Sequence, residues 1–142
     1  MDKKQIVLAA LASADGYSFT PVKVQKLFFI LDRQIPTAIG GPHFNFQPYD
    51  YGPFDKAVYD VLNELQNEGL VEIVYENPSN LRRYKLTPTG QEQGQGLLRS
   101  LPADSSDYIR RVSDFVKRQS FTGLVTAIYR AFPDMKINSI FR

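Results

Sequence analysis

GLVEIVYENPSNLRRYKLTPTG, residues 69–90, is the stretch whose reading decides the fold. Leu70 to Tyr75 is an apolar, β-branched run and Leu81 to Leu86 alternates, with the turn formers Asn77-Pro78-Ser79-Asn80 between them, so a β-hairpin is predicted. Alternation turns Tyr84 and Leu86 inward and puts Arg83 and Lys85 on the opposite face, with Arg82 near the tip. Gly69 ends a preceding helix in the Schellman manner. Thr87-Pro88 is an N-cap followed by proline at the first helical position, and it starts a helix that runs towards Pro102. Gly90, Gly94 and Gly96 make that helix intrinsically weak, so its stability has to come from packing.

Towards the N-terminus, Pro53 opens the helix that Gly69 closes. Phe54, Val58, Val61, Leu62 and Leu65 form its core stripe, and Lys56, Tyr59, Asp60, Asn63 and Asn67 its outward face. Residues 36–53, PTAIGGPHFNFQPYDYGP, read as a loop in which Phe44, Phe46 and Tyr49 form at most a brief strand. Before it, Thr20-Pro21 starts a helix with Val24, Leu27, Phe28, Leu31 and Ile35 on one face and Lys23, Lys26 and Arg33 on the other. Val22 and Phe29 lie among those cations. A helix apolar on both faces is packed on both, so either the C-terminal helices or a partner covers Val22 and Phe29. The first helix runs from about Lys3 to Ala14 behind Asp2, with Val7, Leu8 and Leu11 as its stripe and Gly16 as its stop. Beyond the weak helix, Tyr108, Ile109, Val112, Phe115 and Val116 mark one from Ser106 to Arg118. Phe121, Leu124, Val125, Ile128 and Phe132 mark a last one, capped by Ser120 and ended by Pro133. Three helices, a hairpin and three helices make an α+β, mostly helical chain. LPADSS, residues 101–106, is its only seam.

The 142 residues, 16.2 kDa, with 43% apolar and 23% charged residues, exclude a disordered or fibrous chain. The absence of cysteine excludes disulfides, thiolate metal sites and cysteine nucleophiles together. His43 is the lone histidine, set in a glycine- and proline-rich loop without a triad partner, and it reads as structural or superficial rather than as a base. No ligand spacing for a metal and no phosphate-cradling glycine pattern occurs, since Gly94 and Gly96 fall inside a helix. The chain is therefore expected to be no enzyme and to need no cofactor or metal. No apolar run approaches the ~20 residues of a membrane span. MDKKQIVLAALASADG fits an amphipathic helix better than a secretory leader, so the expected setting is soluble and cytoplasmic, with no membrane partner. The net charge of +2 conceals an acidic block: residues 50–76 hold seven carboxylates against one lysine, while the segments on either side are basic.

Three helices followed at once by a two-stranded hairpin is the arrangement of a winged helix-turn-helix. The Gly69-Leu70-Val71 start and the Tyr84-Lys85-Leu86-Thr87-Pro88-Thr89-Gly90 end resemble the wing text of many such regulators. Val24-Gln25-Lys26-Leu27-Phe28-Phe29-Ile30-Leu31 and Tyr49-Asp50-Tyr51-Gly52-Pro53-Phe54 are similar to stretches of the YwgA-type and Panacea-type prokaryotic proteins. Ile128-Tyr129-Arg130-Ala131-Phe132-Pro133, with Asn138-Ser139, is similar to the YwgA-type C-terminus. The resemblance implies a winged-helix domain over residues 1–101, with residues 102–142 as a helical extension packed on it, and an antitoxin-like or defence-associated role.

Two partners compete. A winged helix that reads duplex DNA lays its third helix in the major groove and its wing on the backbone. The corresponding nucleic-acid-binding residues are Lys56, Tyr59, Asn63 and Asn67 on the helix and Arg82, Arg83 and Lys85 on the wing. The seven carboxylates nearby oppose attraction to a polyanion. The alternative is a protein-interaction module, an antitoxin-like or defence-complex subunit, with Val22 and Phe29 as partner-interface residues. Its partner is then a toxin, another complex subunit or a second copy in a homodimer. The tyrosines of residues 49–54 read as packed residues at a helix entry rather than as a stacking platform.

Overall fold

Side-chain caps set most of the helix starts, and the computed structural model, which describes residues 1–76 and 81–141, shows them in place. Asp2 forms a capping box with Gln5 at the head of α1 (Lys3–Ala12). Thr20 caps α2 (Pro21–Gln34), which carries proline at its first position. A small hairpin follows, β1 (Gln47–Tyr49) against β2 (Gly52–Phe54). Asp55 caps α3 (Lys56–Asn67). At its far end Gly69 adopts φ +77°, and the Leu70 N–H donates to Leu65 O and the Gly69 N–H to Gln66 O, a Schellman closure. The antiparallel pair β3 (Val71–Glu76) and β4 (Leu81–Leu86) comes next, with Ile73 opposite Tyr84. Then come α4 (Pro88–Ser100), α5 (Ala103–Arg118), α6 (Phe121–Ala131) and a 3-10 turn, Pro133–Lys136. The turn expected at Asn77-Pro78-Ser79-Asn80 lies outside the described residues.

The chain is thus α+β and mostly helical, with six α-helices and two two-stranded sheets among the described residues. β4 gains a further neighbour: Phe19 and Tyr84 exchange both peptide hydrogen bonds at 2.8 Å, so the segment between α1 and α2 lies alongside the hairpin. Tyr84 and Leu86 point into the core as alternation requires. None of the helices is long and apolar enough to cross a membrane.

Three expectations need correcting here. The third helix begins at Lys56, not Pro53, because Gly52, Pro53 and Phe54 pair back onto Gln47–Tyr49 as a strand. The first helix has no single stripe: every residue from Ile6 to Ala12 is buried, since α3, α4, α5 and β4 surround it. A buried hydroxyl pair, Ser13 Oγ to Ser113 Oγ at 2.7 Å, ties its end to α5. Finally, two glycines of α4 are contact residues and not merely weak points. A Cβ at Gly94 would lie 2.4 Å from Leu8 O and 2.5 Å from Ala12 Cβ, and one at Gly90 2.0 Å from Leu70 O. They let α4 settle on α1 and on the residue that leads into β3.

Gly96, whose missing Cβ would meet nothing closer than 3.9 Å, separates these two roles of glycine. Gly94→Ala is expected to destabilise the protein by about 1–3 kcal/mol through forced overlap with α1. Gly96→Ala is expected to stabilise it by about 0.5–1 kcal/mol through helix propensity. Urea denaturation of the two variants checks both signs.

Candidate functional site

In α2, Gln25 and Lys26 face inward and hold the entry to α3. The Gln25 Nε2 donates to Asp55 O at 3.0 Å, and the Asp55 N–H donates to Gln25 Oε1 at 2.9 Å. Asp55 in turn accepts from the Ala57 N–H at 2.9 Å, capping α3, and from the Asn45 N–H at 2.7 Å. Lys26 Nζ donates to Pro53 O at 3.3 Å. Gly52 turns the chain here at φ +103°, a conformation that favours glycine, although a Cβ would meet Lys26 Cε only at ordinary van der Waals distance, 3.5 Å. On the other side, the Ile140 N–H, Asn138 Nδ2 and Ser139 Oγ bond the carbonyls of Asp50 and Pro48. The three stretches singled out in the sequence, around Gln25, Tyr51 and Asn138, therefore meet at one place.

Helical periodicity put Lys26 on a polar face, but it is only 3% exposed. Its ammonium has a single carbonyl partner, and burial pulls its pKa from 10.5 down to about 8. Asp32, also buried, accepts the N–H groups of His43 and Phe44, while His43 Nε2 lies 2.7 Å from Ile39 O. The histidine thus helps to close the turn after α2.

The residues nominated for nucleic acid fall into two groups. Tyr59, Arg82 and the outward face of α3 come together: the Arg82 guanidinium lies 4.8 Å over the Tyr59 ring, which stacks on Tyr84. Burial raises the Tyr59 phenol pKa. Asn63 and Asn67 are exposed further along α3. Lys56 is exposed but paired with Asp60 at 3.0 Å. Arg83 and Lys85 lie on the reverse face of β4 and do not converge with α3. They share that face of the hairpin but differ in exposure. Lys85 is exposed, whereas Arg83 is half-buried, with Nε 2.9 Å from the Glu76 carboxylate, off the N–H axis, and NH1 donating to Ser18 O. Lys4 answers Glu64 and Glu68 of α3 at 3.6 and 2.8 Å.

Phe29, nominated for a partner, is 2% exposed and packs edge-to-face on Phe46 and Phe132, with Arg33 over the ring. The C-terminal segment covers it, so it is not an interface residue. Val22 is different: half-buried, it lines an apolar groove of about 460 Å³ between the starts of α2 and α6 and the Leu81 end of the β3–β4 hairpin. Sequence reasoning missed this groove because Phe121 was counted as core. Phe121 is 43% exposed and Leu81, opposite, 42%. Tyr51, expected to pack inward, is also exposed and meets Phe121 edge-to-face. No family model, curated protein or solved structure matches the chain.

Because Lys26 has a lower pKa folded than unfolded, the unfolded chain binds more protons between pH 8 and 10.5. Stability should therefore rise with pH from about 8. Tyr59 and Tyr84, whose raised pKa values act in the opposite sense, matter only above pH 10. Lys26→Met is expected to abolish that rise and to stabilise the protein at neutral pH by roughly 1–3 kcal/mol. Gln25→Leu, which orphans the Asp55 N–H while Asp55 O keeps the Val58 N–H, should instead cost about 1–3 kcal/mol. Chemical denaturation between pH 7 and 9.5 measures all three effects.

Proposed function

We propose that the chain is a non-enzymatic winged helix-turn-helix module whose working partner is another protein, in the manner of an antitoxin-like or defence-complex subunit. The order helix, short edge segment, helix, helix, hairpin, with Phe19 paired to Tyr84, supports the winged-helix reading. So does the resemblance of the α2 and Tyr49–Phe54 stretches to YwgA-type and Panacea-type proteins. The observation that carries the choice of partner is the groove beside the wing, where Leu81 and Phe121 leave about two-fifths of their surface in water. Exposed large apolar side chains facing each other across a cleft mark a protein contact rather than a phosphate backbone.

The helix and wing that would meet DNA support that reading less well. Lys56 and Arg83 are neutralised within the chain, and Asp60, Glu64 and Glu68 face outward with Asn63 and Asn67. Duplex DNA remains a second reading on one observation: Arg82 and Lys85 are exposed on the hairpin and neither has a carboxylate within 4.0 Å among the described residues.

An electrophoretic shift series on mixed-sequence duplex DNA, run from low to moderate salt, decides between them. The expected result is no retained duplex even at low salt, where the phosphate contribution is strongest. Retention would overturn the proposal if its salt slope fell by about two on replacing Arg82 and Lys85 with alanine.

A further inference from the structure

We infer that the groove between the starts of α2 and α6 and the end of the wing receives an acidic segment of a partner protein, anchored by one apolar side chain. The inference rests on the protein-partner reading above and adds the chemistry of what is bound. Its walls are apolar: Pro21 and Val22 from α2, Leu81 from β4, Phe121 and Leu124 from α6. A volume of about 460 Å³ accommodates a leucine or an aromatic ring and the backbone that carries it.

The rim carries the charge. Lys23 lines the groove, and its Nζ donates to Lys117 O at 2.7 Å and to the Tyr17 hydroxyl at 2.8 Å. Lys117, next to the groove and not part of its lining, brings a second ammonium to the same ring: the two nitrogens lie 5.2 and 5.5 Å from the Tyr17 centroid. Neither lysine has a carboxylate within 4.0 Å among the described residues, whereas seven other cation–carboxylate contacts are formed elsewhere on the surface. Thr20 and Ser120, the caps of α2 and α6, both line the cleft, so two helices present their positive ends to it. Two like charges gathered on one ring, without an anion of their own, are relieved by carboxylates arriving from outside. A basic segment would add to the repulsion. A bare phosphate backbone would leave Val22, Leu81 and Phe121 unfilled.

Selection of a display library of random dodecapeptides against the intact protein tests this. The peptides recovered should share a leucine or aromatic residue flanked by aspartate or glutamate. A labelled synthetic copy, followed by fluorescence anisotropy, should bind about tenfold more weakly to Lys117→Glu and to Phe121→Ala, and more weakly as salt rises. Both substitutions are at exposed positions, and circular dichroism melts verify that the variants fold. Recovery of no peptide, of peptides without acidic flanks, or of peptides that bind both variants undiminished would overturn the inference. Light scattering that shows a dimer broken by Lys117→Glu would give the groove to a second copy and overturn it too. None of these results restores duplex binding, so the protein-partner reading falls only in the DNA experiment.

Discussion

Two hydrogen bonds between the Gln25 amide and the peptide groups of Asp55 are the constraint on which the rest of this structure depends. Two helices joined by a turn of about four residues have the angle between them fixed by the turn itself. Here the connection runs from Ile35 to Asp55 and includes a hairpin of its own, so the turn cannot do that work. The buried amide reads both the N–H and the C=O of one residue, and a glutamine side chain has both a donor and an acceptor to offer. Asp55 then passes the constraint on, capping α3 and holding the Asn45 N–H. This one side chain thus ties α3 to α2, and the Leu70 N–H bond to Leu65 O carries the tie on to the β3–β4 hairpin.

The charge distribution changes meaning once the contacts are visible. The acidic block of residues 50–76 is partly consumed: Glu64 and Glu68 meet Lys4, Asp60 meets Lys56, and Glu76 meets Arg83. Such exposed pairs add little stability individually. Their effect is to remove cations from a surface that would otherwise attract a polyanion, while Lys23 and Lys117, beside Tyr17, have no carboxylate within 4.0 Å among the described residues.

What was legible in the sequence is what local chemistry decides. Thr20-Pro21, Thr87-Pro88, Ser120 and Gly69 announce their helix ends because a cap needs only residues within one turn. The wing strands and the inward Tyr84 follow from alternation for the same reason. The start of α3 was misplaced because Gly52-Pro53 satisfies both a helix entry and a strand turn, and only pairing with Gln47–Tyr49 chooses. Lys26, Phe29 and Phe121 were misassigned together. A helical wheel separates faces but does not say which face another segment will cover, and here the hairpin and the C-terminal turn cover the lysine and Phe29 while Phe121, despite Tyr51 and Phe141 at its edge, stays 43% exposed. The groove was invisible because its walls come from three separate parts of the chain.

The burial of α1 on every side has a bearing on how the chain is made. This helix leaves the ribosome before any of the elements that cover it, and its wrapping is not complete until α5 has followed. Seven consecutive buried residues, Ile6 to Ala12, with no charge among them, must stay accessible throughout that interval. Domains that fold as units acquire their shape only when the last covering segment is available, and exposed apolar stretches in the meantime are where association begins. The growing chain therefore carries an apolar stretch without its native cover until Arg118 has emerged.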